Sequence, residues 1–276
     1  MGWWSYHLYF SRIKLDMKQI KAPFISVVLT THKRPNLLMR ALKSLIRQDF
    51  KDFEIVLCAD ESEKETKKIA TNFLRTGDVF VSSPHLSGPS ESRNIGILLS
   101  KGEWICFLDD DDTFDETYFG KISQLIKGPN RIYYSNYTRI FESRGDRSIT
   151  FKRQENINIS SIPSSNLFIS NFIPINAVFL PKNIAKSQNF DLNLQTHEDW
   201  DYYIALKNSG YEFEGLDNIF GPNVHLGDEV SRNKSKAIPL DYLSIYRKWP
   251  SSDEALRKMR ANILAESGIN IPENFL

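Results

Sequence analysis

Four consecutive aspartates, Asp109 to Asp112, are the residues of this sequence with the clearest capacity for chemistry. They directly follow an apolar segment, residues 104–108, whose composition predicts a buried strand. Adjacent carboxylates repel one another, and a divalent cation commonly offsets such a charge because hard cations bind carboxylate oxygens. The position at a strand's carboxyl end, where open α/β sheets bind ligands, favours a cation site over a solvated acidic turn. An EF-hand loop is excluded, because its sixth position requires glycine and is Phe114 here.

A polar segment at the end of the first predicted strand could bind an anion or a base. Residues 24–30 form a β-branched apolar run, and Thr30, Thr31, His32, Lys33 and Arg34 carry the chain to Pro35, where a helix is expected to begin. The N–H groups at the start of such a helix face outward and attract anions.

Asp60 and Arg93 could contact a nucleotide. Asp60 ends the second predicted strand, where it could accept hydrogen bonds from a nucleoside or cap the helix that follows. Arg93 could direct a bidentate fork at a diphosphate or form a surface ion pair with Glu91. Neither a Walker sequence nor a Gly-x-Gly-x-x-Gly motif accompanies them.

Glu198 and Asp199 stand where a further helix is predicted to begin. A carboxylate in a first helical turn opposite a metal site is well placed to act as a general base. The alternative is structural, because Thr196 and Asp199 match the capping-box spacing. The neighbouring His197 is read as a surface histidine.

The elements that position these residues alternate between strand and helix over the first half of the chain. This order predicts an α/β fold with a mostly parallel sheet flanked by helices. Residues 131–141 indicate one or two half-exposed strands, residues 142–166 a loop or lid, and residues from about 236 short amphipathic helices.

The composition is that of a soluble globular protein, with 276 residues, 41% of them hydrophobic and 25% charged. A net charge of +1 gives no electrostatic reason to expect nucleic acid as a partner. The two cysteines, Cys58 and Cys106, lie in apolar runs and are expected to be reduced core thiols of a cytoplasmic protein. No apolar run reaches the length of a membrane span. Residues 1–16 are rich in aromatics and are expected to be an extension, with Met17 as the functional start, or else a membrane-surface anchor.

Together these motifs resemble family 2 glycosyltransferases, the inverting GT-A type, over about residues 23–232. The order of the segments carries the resemblance as much as their content does. The matching segments are residues 24–35, Asp60, Ser92-Arg93-Asn94-Ile95-Gly96, Gly102 to Asp112 with its D-x-D motif, Phe190-Asp191, and Glu198-Asp199-Trp200-Asp201.

The resemblance implies a role for each matching residue. The nucleotide-binding set is Thr30, Thr31, Arg34, Asp60, Arg93, Asp109 and Asp110. The cation ligands, for Mn2+ or Mg2+, are Asp111 with Asp109, with Asp112 in reserve and Asp110 as a solvent-facing spacer. Asp199 is the base, and Glu198 orients the base or the acceptor. A late loop with His225 and Ser231 would reach the diphosphate or the metal.

The resemblance implies an inverting, metal-dependent glycosyltransferase of bacterial surface polysaccharide synthesis. Its donor would be a nucleotide-sugar, a UDP-sugar in this expectation, and its acceptor a hydroxyl of a glycan or glycolipid. Peripheral contact with the inner face of the membrane and a homo-oligomer are further associations that it allows. The expected division is an extension (1–22), a GT-A domain (23–235, with a donor half to 140 and an acceptor half from 141) and a helical tail (236–276).

Two other functions compete with this one. A sugar nucleotidyltransferase shares the α/β plan and the acidic site, but it needs a glycine-rich loop after strand one, and residues 31–34 contain no glycine. A non-catalytic nucleotide-sugar or carbohydrate-binding protein is the alternative from another class. The presence of acid, metal-type and base positions together argues against it.

Overall fold

The computed structural model describes residues 21–60, 64–82, 88–145, 148–194, 196–227 and 238–276. The first half contains β1 (Ile25–Thr31), α1 (Pro35–Ile46), β2 (Phe53–Ala59), α2 (Lys64–Phe73), β3 (Val79–Ser82), α3 (Gly88–Leu99), β4 (Trp104–Asp109), β5 (Thr113–Phe114) and α4 (Tyr118–Leu125). The second half contains β6 (Arg131–Arg144), β7 (Ile149–Ile157), β8 (Val178–Pro181), α5 (Lys182–Ala185), α6 (Glu198–Asn208), β9 (Glu212–Gly227), α7 (Ile238–Lys248) and α8 (Glu254–Glu266). Three short 3-10 helices span Ser164–Phe168, Ile175–Ala177 and Glu273–Phe275.

The strands form one mixed sheet in the order β3-β2-β1-β4-β8-β6-β9-β5, with β7 paired to the outer part of β6. Strands β3, β2, β1 and β4 are parallel, as the alternating pattern predicts. Strand β8 pairs antiparallel with both β4 and β6, and β9 returns parallel to β6. The predicted α/β class with a mostly parallel sheet is confirmed.

Two hydrophobic cores cover the two faces of the sheet. Successive residues of a strand point to opposite faces, so Val28 belongs to one core and its neighbours Val27 and Leu29 to the other. In the same way, Phe107 faces the first core and Cys106 the second. Burial on both faces explains why these strands are continuously apolar. It also keeps both cysteines as buried free thiols, as expected, and burial raises the pKa of Cys58 to about 12.

Residues 131–141 belong to one strand, β6, in agreement with the expected one or two strands, and residues 132–138 of it are buried. The second half differs from the sequence expectations in two places. The segment predicted as a loop or lid contains β7, which is polar because it pairs only with β6 and is largely exposed. The sixteen-residue strand β9 lies where a late loop was expected. The helix predicted near Glu198 and the helices after residue 236 are confirmed.

In the described parts of the chain, no helix combines the length and the apolar composition needed to cross a bilayer. The predicted extension, residues 1–16, and Ser231 lie outside the described residues. The domain boundaries stay predictions.

Candidate active site

The predicted site residues meet at the carboxyl ends of β1 and β4. These strands are parallel neighbours, and Thr30 of β1 lies in register with Asp109 of β4. A cleft of about 1310 Å³ opens there. The predicted residues that line it are Arg34, Arg93, Asp109, Asp111, Asp112, Glu198, Asp199 and His225. The topology thus brings the donor-side residues and the base candidates into one cavity.

Asp109 and Asp111 are the two aspartates of the run whose side chains are partly exposed at the cleft. Their side chains are 26% and 25% exposed. Asp109 accepts a hydrogen bond from the Thr30 hydroxyl at 2.8 Å. Asp111 accepts from Arg34 at 3.0 Å and lies 3.4 Å from Arg144. Arginine side chains therefore offset part of the charge of the run.

Asp110 is fully buried, so the prediction of a solvent-facing spacer is wrong. The chain turns after β4, where the Asp110 N–H donates to the Thr30 carbonyl at 3.1 Å and the carboxylate is directed into the β1 loop. There it accepts from the Thr31 hydroxyl at 2.7 Å and pairs with Arg34 at 2.5 Å. Burial raises the pKa of Asp110 to about 6, although Arg34 acts in the opposite direction. Asp110 therefore fixes the nucleotide-side loop; its predicted contact with a nucleotide stays a prediction.

Asp112 is buried behind the cleft wall. Its two oxygens accept from the His225 N–H at 2.9 Å and from the Asn176 side-chain amide at 3.0 Å. Burial raises the pKa of Asp112 well above its ordinary value, and the charge of Asp111 adds to the effect. These contacts tie the acidic run to β9 and to the segment before β8.

Arg93 joins the two sides of the site. It is 3% exposed, so the alternative of a surface ion pair is wrong. One end of its guanidinium donates to Asp109 at 2.9 Å and the other to Glu198 at 2.6 Å. Because Asp109 ends β4 and Glu198 begins α6, this single buried arginine fixes the distance between the D-x-D strand and the helix that carries the base candidate.

Asp199 lies in the first turn of α6 and lines the cleft. Its Oδ1 accepts from the Trp200 N–H at 2.8 Å and from the Asn171 side chain at 3.1 Å. Burial, together with the charge of Glu198, raises the pKa of Asp199 to about 6, although Arg93 acts against both. A carboxyl group with a pKa near neutrality is suited to exchange a proton at physiological pH.

The predicted capping box is wrong. The Thr196 hydroxyl lies 2.7 Å from Asp241 of α7 and does not cap α6. The N-cap residue is His197, which has a left-handed backbone with φ of 60° and no side-chain cap. His197 is half-buried and packs edge-on against Tyr242, so it is not a surface histidine. The start of α6, the helix that carries the base candidate, is thus held by the contact with Asp241 of α7 and not by a side-chain cap of its own.

Asp60 sits beside the β1 loop, apart from the residues that line the cleft. Its carboxylate lies 2.7 Å from the His32 ring, so it can orient the loop that includes Thr31 and Arg34. The capping alternative for Asp60 involves residues 61–63, which lie outside the described residues.

A buried ion-pair cluster behind Asp111 was missed by the sequence reasoning. Glu142 is its centre, and it accepts from Arg40 at 2.7 Å, from Arg144 at 2.8 Å and from the His225 ring at 2.9 Å. The other ring nitrogen of His225 lies 2.9 Å from the Thr113 hydroxyl. Both ring nitrogens of His225 therefore have protein partners, and its role as a cation ligand stays a prediction. No local pattern marks this cluster, because α1, β6 and β9 each supply part of it.

The carboxylate oxygens of the site fit a divalent cation that is shared with a substrate phosphate. Over the described residues, no three His, Cys, Asp or Glu side chains gather into a ready-made cation site. Mg2+ commonly needs only one or two carboxylates, with substrate phosphates and water completing its shell. Asp109 and Asp111 supply two carboxylates of this kind, both partly exposed to the cleft.

Two bacterial proteins are similar in sequence to parts of this chain. A Campylobacter jejuni protein, GalNAc(5)-diNAcBac-PP-undecaprenol beta-1,3-glucosyltransferase, is 32% identical over 154 residues, covering 54% of this chain and 49% of that protein. The Escherichia coli UDP-Glc:alpha-D-GlcNAc-diphosphoundecaprenol beta-1,3-glucosyltransferase WfaP is 25% identical over 119 residues, covering 43% and 44%. The matched segments thus span about half or less of either relative.

Solved structures share the fold at low identity. The Staphylococcus aureus TarS 1-349 structure in complex with UDP-GlcNAc has a TM-score of 0.62 at 16% identity and covers 87% of this chain and 71% of that chain. The Pyrobaculum calidifontis mannosyltransferase PcManGT, in complex with GDP-Man and Mn2+, has a TM-score of 0.60 at 11% identity and covers 90% and 74%. The GT-A fold expected from the sequence is confirmed. Residues 26–186, more than half of the chain, match glycosyl transferase family 2, and the chain belongs to that family.

Proposed function

We propose that this chain is an inverting, metal-dependent glycosyltransferase that moves a sugar from a UDP-sugar to a hydroxyl of a glycan or glycolipid acceptor. The observation that carries the proposal is the buried Arg93 bridge, which joins Asp109 to Glu198 and so brings Asp109 and the first turn of α6, with Asp199, into one cleft. The names of the two bacterial relatives, both with undecaprenol-linked acceptors, support an acceptor of that kind and a place in surface polysaccharide synthesis.

The donor binds at the ends of β1, β2 and β4 in this proposal. Thr30, Arg34 and Asp60 hold the base and ribose, with Thr31 and Asp110 fixing the loop that carries them. Arg34 places a positive charge beside Asp111, where the diphosphate would lie.

Asp109 and Asp111 would hold the Mn2+ or Mg2+ ion. When bound, such an ion supplies Lewis-acid stabilisation of the charge that builds up on the leaving diphosphate. The chain itself keeps both carboxylates in place through Thr30, Arg93 and Arg34. Arg93 adds a further positive charge on that side of the cleft.

Asp199 removes the proton from the acceptor hydroxyl as it attacks the sugar. Glu198 positions Arg93 and keeps the pKa of Asp199 raised, with burial as the larger cause. A single base on the acceptor side, opposite the leaving diphosphate, suits in-line attack with inversion of the anomeric centre.

The test is a panel of nucleotide-sugars, each measured for thermal stabilisation and for transfer with and without Mn2+. A UDP-sugar should stabilise the protein, because a ligand that binds only the folded state raises its stability in proportion to affinity. Asp111→Asn should remove the part of that stabilisation that depends on Mn2+. Asp52→Asn is the matched control, since Asp52 is exposed and pairs with Lys21 away from the cleft.

Two results would count against the proposal. Equal Mn2+-dependent stabilisation in Asp111→Asn and wild type would remove Asp111 as a ligand. Binding of the nucleotide-sugar without transfer or donor hydrolysis over a broad panel would favour the non-catalytic alternative.

A further inference from the structure

The hairpin of β6 and β7 presents an aromatic and basic face to the far end of the cleft. Alternate residues of β6, Tyr137, Arg139 and Phe141, line the cavity together with Arg153 and Ile157 of β7. We call these five residues the hairpin face. The strand register pairs Tyr137 with Ile157 and Phe141 with Arg153, so they form one continuous surface.

The two arginines of the hairpin face are held in place. The Arg153 guanidinium stacks over the Phe141 ring at 3.5 Å from its centre, and that of Arg139 lies 5.7 Å from the centre of the Tyr137 ring. Both pair with the same carboxylate, Glu155, Arg139 at 3.3 Å and Arg153 at 3.2 Å. The side chain of Arg139 is 42% exposed and that of Arg153 is 59% exposed. Two guanidiniums with one shared carboxylate leave a net positive charge on a rigid platform, and a guanidinium fork matches the oxygens of a phosphate.

This face is separate from the diphosphate side of the donor site. Arg144, which contacts Asp111, lies five positions beyond Arg139 on the same strand. At about 3.3 Å per residue, the Cα atoms of Arg139 and Arg144 are roughly 16 Å apart along the strand, so Arg139 belongs to a different part of the cavity wall from the contact with Asp111.

Apolar side chains continue the wall next to the hairpin face. Ile162 and Phe172 line the cavity beside Ile157, and all three are only partly buried. A ligand that fits this wall carries a hydrocarbon segment next to its phosphate. Because Asp199 lines the same cavity, the ligand's sugar hydroxyl can reach the base.

We infer that the hairpin face binds the phosphate linkage of a lipid-linked sugar, with Arg139 and Arg153 on the phosphate and the apolar wall on the first part of the lipid. The inference rests on the proposed function and specifies its acceptor class, which is a sugar joined to a lipid through phosphate or diphosphate.

Direct binding separates this inference from the transfer reaction. With UDP and Mn2+ present to fill the donor site, the wild-type protein is titrated calorimetrically with geranyl diphosphate, geraniol and inorganic diphosphate. Geranyl diphosphate should bind at least tenfold more tightly than either of the others. Arg139→Ala and Arg153→Ala should each weaken it about tenfold, as loss of one charge-assisted hydrogen bond does. Arg153→Lys should recover part of the loss, because lysine keeps the charge without the fork.

Arg131→Ala is the matched control, since Arg131 is an exposed arginine of the same strand that pairs with Glu214 away from the cleft. It should leave the affinity for geranyl diphosphate unchanged. A second arm measures KM for one acceptor sugar carried on the same lipid through diphosphate or through a simple glycosidic bond. Arg153→Ala should raise the first KM about tenfold and the second less than twofold.

Equal binding of geranyl diphosphate and geraniol, or unchanged affinity in both alanine variants, would overturn the inference. So would a loss of UDP-sugar stabilisation in Arg153→Ala, which would assign the arginines to the donor. Absence of transfer to either acceptor, with the binding pattern intact, would instead count against the proposed function alone.

Discussion

Replacing Asp199 with asparagine is the sharpest test of the proposed base. Asparagine keeps the size of the side chain and an Oδ1 that can still accept from the Trp200 N–H and the Asn171 amide, so the start of α6 should keep its shape. It cannot take a proton from the acceptor. A positioned general base typically contributes about 10²–10⁴-fold, so kcat should fall by that factor, or roughly 3–5 kcal/mol of barrier.

The pH dependence of the wild type gives the same prediction a second readout. Burial, with a smaller contribution from the charge of Glu198, raises the pKa of Asp199 to about 6. The base works only when ionised, so the transfer rate should rise with pH up to about 6 and then level off. Glu198→Gln removes one of the two causes and leaves Arg93 to lower the pKa, so the rise should move to lower pH.

The assay is single-turnover transfer from a UDP-sugar, followed as product by mass spectrometry between pH 4.5 and pH 8. Donor binding is measured in parallel as thermal stabilisation and should persist in Asp199→Asn. Asp52→Asn serves as the control for removing one carboxylate. A variant Asp199→Asn that keeps more than about a tenth of wild-type kcat would refute the assignment, since general-base loss costs more than that. If the transfer rate of Glu198→Gln rises with pH over the same range as that of the wild type, the electrostatic reasoning is refuted.

Two further predictions concern the residues that hold the site together. Although burial acts in the opposite direction, hydrogen bonds from Arg40, His225 and Arg144 lower the pKa of Glu142 from 4.5 to about 2. The lowered pKa means that Glu142 stabilises the fold above about pH 4.5 and loses this effect as the pH falls towards 2. Glu142→Gln should lower the free energy of unfolding by about 3–5 kcal/mol at pH 7 and by much less near pH 3. Urea unfolding at the two pH values measures this difference, and an equal loss at pH 7 and pH 3 would contradict the prediction. Asp241 accepts two hydrogen bonds from Thr196, each at 2.7 Å, and so helps to position the start of α6 and Asp199. Asp241→Asn should therefore lower kcat more than it weakens the thermal stabilisation by the donor. An unchanged kcat would exclude this positioning role.

The donor half of the site could be predicted because its determinants are local. Apolar runs mark β1, β2 and β4, and in a parallel sheet the residues that follow such strands meet at one edge. Thr30 and Asp109, which the family resemblance assigned to one nucleotide-binding set, lie side by side at this edge. The conformation of the turn itself was not predictable, and for that reason Asp110 was assigned to solvent although its carboxylate is buried against Thr31.

The rest of the site depends on pairings between distant segments. Glu142 and Arg144 belong to β6 because this end of the strand pairs with β7, and Glu142 pairs in addition with Gly227 of β9, more than 80 residues later. A bulge at Phe141/Glu142 resets which side chains face the cleft. Their own sequence is polar and resembles a loop. Arg40 lies on a helix whose apolar face was recognised, but nothing in α1 indicates that the polar side meets Glu142.

The charges around α6 support Asp199 as the proposed base more directly than its motif does. The first turn of this helix carries three acids, Glu198, Asp199 and Asp201. Glu198 pairs with Arg93 and Asp201 with Lys248 of α7, whereas none of the ion pairs described for this chain includes Asp199. An acid beside a cation keeps its charge and is a poor proton acceptor, while one that is buried near another carboxylate is drawn towards neutrality. In the proposed mechanism the helical tail contributes through Lys248, which pairs with Asp201 and leaves Asp199 as the acid of this turn that has no ion pair among those described and a pKa raised to about 6 by burial.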